Sequence, residues 1–271
     1  MTEPLAVGII GLGSMGCFVA RQILQGKIPG LRLWAAADIR RPPDDLLQDF
    51  RRSSVSWVPS FQDLGAYPLR LAIECANQQV AWECANFFLS RGVDLLIMSV
   101  GALLEGTRLT DLSHIAKSHG CQIYVPSGAV GAMDALQAAR WQGLEEVTLT
   151  TRKPPGSFGR VEGIDLEGLR ESRVIFEGPA REAVVRFPQN VNVAATISLA
   201  GLGPEKTRVR IIADPNVDRN VHEIFARGVF GTMEIRLSNL PHPENPKTSM
   251  LACLSVVSLL KKMQATLKVG S

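Results

Sequence analysis

One of the four histidines in this 271-residue chain, His222, lies in the polar stretch DPNVDRNVHEIF, residues 214–225. An imidazole with an ordinary pKa near ~6.5 can take and return a proton around neutral pH. Asp214 and Asp218 are both available to orient it, and the sequence does not choose between them. The segment reads as a loop end leading into an apolar-rich run. A lone histidine in such a place is more often structural than catalytic, so the rest of the chain has to decide. Two other polar clusters fall in the same half. TTRKPPGS (150–157) sets Arg152 and Lys153 before a Pro-Pro turn, where they can bind a carboxylate or simply face solvent. FPQNVNVAA (187–195) puts Asn190 and Asn192 at a helix entry, where one asparagine caps the helix and the other is spare for a ligand.

The elements that must hold such groups begin at the N-terminus. LAVGII (5–10) is a strand suited to burial on both faces, and it runs into GLGSMG and then a segment of helical spacing. Gly11, Gly13 and Gly16 therefore sit in the strand–turn–helix order that binds a dinucleotide, with Ser14 and Met15 inside the turn. Each glycine has a reason: a tight turn, close approach of pyrophosphate, and helix-on-strand packing. The helix N-terminus adds N–H groups and a favourable dipole for phosphate. A second strand, LRLWAAAD (31–38), ends in Asp38, placed for the hydroxyls of the adenosine ribose. Arg40 and Arg41 follow and suit a 2′-phosphate, so NAD is favoured and NADP tolerated.

Strands and helices go on alternating: a strand at 69–76, a helix at 78–90, a strand at 93–100, a helix carrying His114 and His119, and a strand at 121–125. This predicts a doubly wound parallel sheet of the Rossmann type, with ligands beyond the carboxyl ends of its strands. Cys75, Ala76 and Ser99 lie at such ends and are expected to line the cofactor groove. His114 and His119 are read as surface or packing residues.

After VPSGAVGAMDALQAARW (125–141) the pattern changes. Alternating segments at 144–153, 172–178, 206–214 and 231–239, interrupted by two helical stretches, predict an α+β domain with one covered sheet face. A turn at Asn245-Pro246 then leads into a long apolar helix that packs back on the first domain. The expected division is a dinucleotide-binding domain over 1–125, a substrate and dimerisation domain over 126–245, and the returning helix over 246–271.

Composition narrows the function. With 46% hydrophobic and 20% charged residues and a net charge of +3, the chain reads as soluble and mildly basic. Lacking a dense Lys/Arg stripe, it is expected to bind an anionic small molecule rather than nucleic acid. Cys17, Cys75, Cys84, Cys121 and Cys253 are scattered, with no metal-ligand spacing, as expected of reduced thiols in a cytoplasmic protein that holds no metal. The opening residues do not read as a secretory signal, and the apolar runs fall short of the ~20 residues of a membrane span.

GLGSMG, PSGAVG, TRKPP, FPQNVNVAATI, IADPNVDRNVH and NPKTSML, in this order and spacing, closely resemble the L-aspartate dehydrogenase family over essentially the whole chain. The resemblance implies a homodimer of subunits with a Rossmann domain and a substrate domain. It also implies NAD or NADP as cofactor and reversible oxidation of L-aspartate to iminoaspartate, which hydrolyses to oxaloacetate and ammonia. In bacteria the imine can feed quinolinate and NAD synthesis. Carried over by position, Ala129 and Asn192 are cofactor contacts and His222 is the catalytic histidine. Arg152, Lys153, Arg219 and Lys247, with Asn190, are the candidates for holding the two substrate carboxylates. Ala132 departs from the pattern, since bacterial members often carry a further glycine there. Two rival readings remain: another two-domain NAD(P)-dependent reductase of a small acid or imine, and a non-catalytic NAD(P)H-binding redox sensor. A sensor needs no proton-transfer group, which speaks against it.

Overall fold

The structure, a computed structural model, describes residues 3–158, 164–166, 168–187 and 192–270, with only the backbone of Pro246 and Lys247. The chain divides into two compact units: residues 1–126 with 253–269, and residues 127–252 with 270–271.

In the first unit β1 (Leu5–Ile10), α1 (Ser14–Leu24), β2 (Leu31–Ala37), α2 (Asp44–Arg52), β3 (Ser56–Val58), β4 (Leu71–Glu74), α3 (Gln78–Leu89), β5 (Asp94–Ile97), α4 (Arg108–His119) and β6 (Ile123–Tyr124) follow in chain order. The sheet runs β3-β2-β1-β4-β5-β6, all parallel, reversing direction of growth at β1 and β4. Val7, Ile9, Ala35, Ala36, Leu71, Ala72, Ile73, Leu95 and Leu96 are fully buried or nearly so, which is why these strands read as continuous apolar runs. The expected α/β doubly wound sheet is present. Some elements are shorter than the sequence predicts. After Ile97 the chain turns into a 3-10 helix over Val100–Leu104, and β6 is a two-residue edge strand. The Asn77 side chain accepts a hydrogen bond from the N–H of Val80 at 3.0 Å and starts α3. Gly120, at φ 67°, ends α4.

The second unit holds α5 (Met133–Arg140), β7 (Leu144–Lys153), β8 (Arg173–Pro179), α6 (Ala180–Arg186), α7 (Asn192–Ala200), β9 (Arg208–Ala213), β10 (Asn220–Gly228), β11 (Gly231–Asn239), β12 (Pro241–His242) and β13 (Asn245–Ser249). Five strands form a mixed sheet ordered β11-β10-β7-β9-β8, in which β7 and β9 are parallel and the other pairs antiparallel. Val147, Leu149, Ile211, Ile224 and Ala226 are buried on one face, while Glu146, Arg210 and Arg227 look outward. Ala132 precedes α5 at φ 68°, a left-handed conformation that favours glycine, so its methyl carries local strain.

Two expectations are corrected. His222 is not at a loop end; it is the third residue of β10, a strand hidden by the turn-forming residues before it. Asn245-Pro246 is not the turn either. The chain reverses at Pro243–Glu244, where the Glu244 N–H donates to His242 Nδ1 at 3.2 Å, and Asn245 opens β13. The final helix, α8 (Met250–Gln264), buries Cys253, Val256, Val257 and Leu260, and from Cys253 onward it belongs to the first unit. No helix among the described residues is long and apolar enough to cross a membrane.

Candidate active site

In the first unit the glycine turn is shaped by contacts no other residue allows. Gly11 has φ 87°, and a Cβ there would lie 2.8 Å from the Cys75 carbonyl oxygen and 2.9 Å from Ala76. A Cβ on Gly16 would collide with the Gly11 carbonyl. At Gly13 the added atom meets nothing within 4 Å, so the space above the turn is open. Gly13 also caps α1 without any side-chain hydrogen bond, leaving N–H groups of the first turn to a ligand. Ser14 and Met15, half-buried, begin that turn. These residues fit the pyrophosphate of a dinucleotide.

Asp38 is tied to this turn. Its Oδ2 accepts the Leu12 N–H at 2.6 Å and its Oδ1 accepts the Arg40 N–H at 2.8 Å. The backbone of Asp38 is held in turn by Val58 and by the Trp57 indole, at 3.2 Å each. The Arg40 guanidinium lies 3.9 Å from Asp38, and Arg41 pairs with Asp44 at 2.6 Å; both arginines are exposed.

The last residue of β4 is one that sequence reasoning missed. Glu74 is completely buried, yet it accepts hydrogen bonds from the N–H groups of Ala76 (2.7 Å), Met98 (3.1 Å) and Ser99 (2.9 Å) and from the Ser99 hydroxyl (2.8 Å). Burial raises its pKa above the usual value, and these four donors oppose that rise. One carboxylate thus joins the two loops expected to flank a cofactor. The Ser99 side chain, expected to line the groove, is 7% exposed and committed to Glu74. Cys75 is half-buried, with its thiol pKa pushed up by burial and by Glu74, while Ala76 is exposed. The only signal in the sequence was an acid closing a buried strand, in AIECAN.

In the second unit the sheet register sorts the polar candidates. His222 faces Thr151 across the β10–β7 ladder, and the Thr151 hydroxyl lies 3.0 Å from His222 Nδ1. Lys153, two residues further along β7, shares that buried face. Arg152, between them, points to the other face and lies 3.5 Å from Asp214 and 3.3 Å from Glu223. Arg236 completes that cluster at 3.3 Å from Glu223. Arg152 and Lys153 were both candidates for a carboxylate, and strand alternation places them on opposite faces.

Neither aspartate orients His222. Asp214 is on the far face with Arg152, and its Oδ1 accepts the Asn216 N–H at 2.9 Å. Asp218 is exposed and forms a two-pronged pair with Arg219 at 2.6 and 2.7 Å, which also occupies that arginine. The imidazole is not an ordinary one either: burial, and then the charge of Lys153, bring its pKa from 6.5 down to about 3. Burial lowers that of Lys153 from 10.5 to about 8. Elsewhere in this unit the Ala129 carbonyl accepts from Asn239 Nδ2 at 2.7 Å, fixing the PSGA loop. Asn192 is exposed at the start of α7, Asn190 lies outside the described residues, and Lys247 is described only by its backbone in β13. Among the described residues no group of three or more His, Cys, Asp or Glu is placed to hold a metal.

Residues 11–126 match a family model described as homoserine dehydrogenase, NAD binding domain, and residues 134–263 one described as aspartate dehydrogenase, C-terminal. An L-aspartate dehydrogenase of Methanosarcina acetivorans is 45% identical, over 98% of this chain and all of that one. That of Methanosarcina barkeri is 42% identical, again over 98% of this chain and all of the relative. The crystal structure of aspartate dehydrogenase from Thermotoga maritima superposes with a TM-score of 0.78 at 27% identity, covering 99% of this chain and 100% of that one. With an open dinucleotide turn in one unit and a buried histidine–threonine pair in the other, and relatives alike from end to end, the chain belongs to the L-aspartate dehydrogenase family.

Proposed function

We propose that this chain oxidises L-aspartate to iminoaspartate with NAD or NADP, and that the imine then hydrolyses to oxaloacetate and ammonia. The observation that carries the reading is the buried His222–Thr151 pair on the same sheet face as Lys153, in a chain of this family. The dinucleotide would be held at the Gly11–Gly16 turn with Ser14 and Met15, at Asp38, by the loops of Cys75, Ala76 and Ser99, and by Ala129 and Asn192. When bound it supplies the acceptor for the hydride leaving the substrate Cα.

His222 has the remaining work. With Nδ1–H donating to the Thr151 oxygen, Nε2 presents a lone pair. It takes one proton from the substrate ammonium, so that the amine lone pair can form the C=N bond as hydride departs. The imidazolium then returns that one proton to the nitrogen as water adds to the imine carbon and ammonia leaves. Lys153 is the cation on that face suited to a substrate carboxylate.

In this reading residues 1–125 and the returning segment 246–271 serve the dinucleotide, and 126–245 serve the substrate. Asp38 favours NAD over NADP by a modest margin. The family resemblance supports a homodimer, and five free thiols support a cytoplasmic setting. A screen of amino and hydroxy acids with NAD and with NADP at alkaline pH tests the function. Aspartate is expected to give the reduced dinucleotide, with ammonia and oxaloacetate released in equal amounts. Reduction driven by a hydroxy acid instead, or by none of the acids, would overturn it.

A further inference from the structure

Of the strands that close an edge of the two large sheets, one is long and unprotected. β3 and β6, at the edges of the first unit's sheet, have three and two residues. In the second unit β8 closes one edge with a register break between Val174 and Phe176 and ends in Pro179, two devices that discourage pairing. β11 closes the other edge with nine residues, no proline and an unbroken register on β10. Among the described residues no strand pairs with its outer N–H and C=O groups. Met233, Ile235 and Leu237 on the covered side are only half-buried, while Ile224 and Ala226 beside them on β10 are buried. Glu234 and Arg236 stand exposed on the other side. Phe230 and Leu240, just before and just after the strand, are 46% and 61% exposed.

We propose that two copies of this chain associate through β11, pairing as antiparallel edges of one continuous sheet with the two-fold axis at Ile235. The inference rests on the homodimer reading above and adds the surface and its register. Such an axis brings each residue opposite the one equally far beyond Ile235. Glu234 therefore meets Arg236 of the partner subunit, and the symmetry repeats that pair. Within its own chain Glu234 lies opposite Phe225, so the second copy supplies its cross-strand cation. Met233 meets Leu237 of the partner subunit, and Phe230 reaches Leu240 of the partner subunit. Each copy thus covers apolar side chains that the other leaves open, and the edge backbone groups are paired. Centring the axis on Glu234 or on Arg236 would set two like charges face to face. Placing it between residues would join the covered face of one copy to the open face of the other. The side-chain pattern selects Ile235.

Sedimentation equilibrium of the full-length protein tests this, with a dimer expected for the wild type. Glu234→Arg alone and Arg236→Glu alone each put like charges face to face at both symmetric contacts. Each should weaken the dimer by about tenfold or more. Mixed in equal amounts, the two variants should re-associate as a dimer of mixed composition, because every introduced charge then meets its opposite. Damage to the fold would not be repaired by mixing. Ile235→Cys should form a disulfide-linked dimer with oxidised glutathione, and Thr232→Cys, far from the axis, should not. A dimer untouched by both charge reversals, variants that fail to re-associate on mixing, or an unlinked Ile235→Cys would overturn this surface and leave the homodimer standing. A monomeric wild type would overturn both. Aspartate turnover of the wild type, read on the same samples, decides the proposed activity separately.

Discussion

Thr151 and His222 face each other across the β7–β10 ladder, with Oγ1 and Nδ1 3.0 Å apart and both residues buried. The hydroxyl can fix the tautomer that leaves Nε2 free for a substrate proton. His222→Ala should lower aspartate turnover per folded molecule by about 10²- to 10⁴-fold. Because His222 is 3% exposed, the cavity and the orphaned hydroxyl should also cost about 1–3 kcal/mol of stability. NADH affinity should stay near wild type, since the glycine turn and Asp38 lie in the other unit. Turnover and urea unfolding measured on one preparation separate the two effects. Loss of stability with near-normal turnover would make His222 a structural residue. Thr151→Val, which keeps the shape and removes the hydrogen bond, should lower kcat with little effect on KM.

Asp38 accepts the Leu12 N–H and the Arg40 N–H, so it fixes the glycine turn, and in the proposed function it also meets the ribose. Asp38→Ala should weaken NAD more than NADP, because the carboxylate repels a 2′-phosphate and the exposed Arg40 and Arg41 attract one. Fluorescence titration with both reduced cofactors reads the ratio. If both affinities fall by the same factor, Asp38 acts on the turn and not on the ribose.

Glu74 offers one oxygen to Ala76 and the Ser99 hydroxyl, and the other to the N–H groups of Met98 and Ser99. In Glu74→Gln, whichever way the amide sits, its NH2 faces at least one backbone N–H. A loss of about 1–3 kcal/mol is expected for each donor left unsatisfied. The two loops should loosen, so NADH binding should weaken while the secondary structure seen by circular dichroism persists. Unchanged stability and NADH affinity would show that the four contacts contribute little.

Lys153 makes stability depend on pH. Its pKa falls from 10.5 in the unfolded chain to about 8 in the fold. Between those values the unfolded state binds more protons, so stability rises with pH across that window, and below pH 8 the burial penalty is fully present. The shift corresponds to about 3 kcal/mol at full extent, as an order of magnitude. Relative to Lys153→Met, the wild type should gain stability between pH 8 and 10.5, and the variant should be the more stable protein at pH 7. Urea unfolding at both ends of the window checks this, and parallel profiles for the two proteins would refute it.

The dinucleotide half was legible because its determinants are local. LAVGII-GLGSMG reads as strand, turn and helix from side-chain type alone, and the collision at Gly16 involves a carbonyl only five residues away. Buried parallel strands likewise announce themselves as apolar runs, and Asn77 marks a helix start through its own side chain. His222 was identifiable as a candidate, but its partner was not. Thr151 is 71 residues distant and meets it only through strand register. Arg152 and Lys153 are neighbours in sequence with equivalent charges, and only the choice of which sheet face is covered sends one to Asp214 and Glu223 and the other beside the imidazole. Glu74 finds its Met98 and Ser99 donors 24 and 25 residues away, on an adjacent strand's end. Residue type and short-range spacing thus determined the elements and the chemistry on offer. Burial, partner and effective basicity depend on long-range pairing, and those the tertiary structure alone decided.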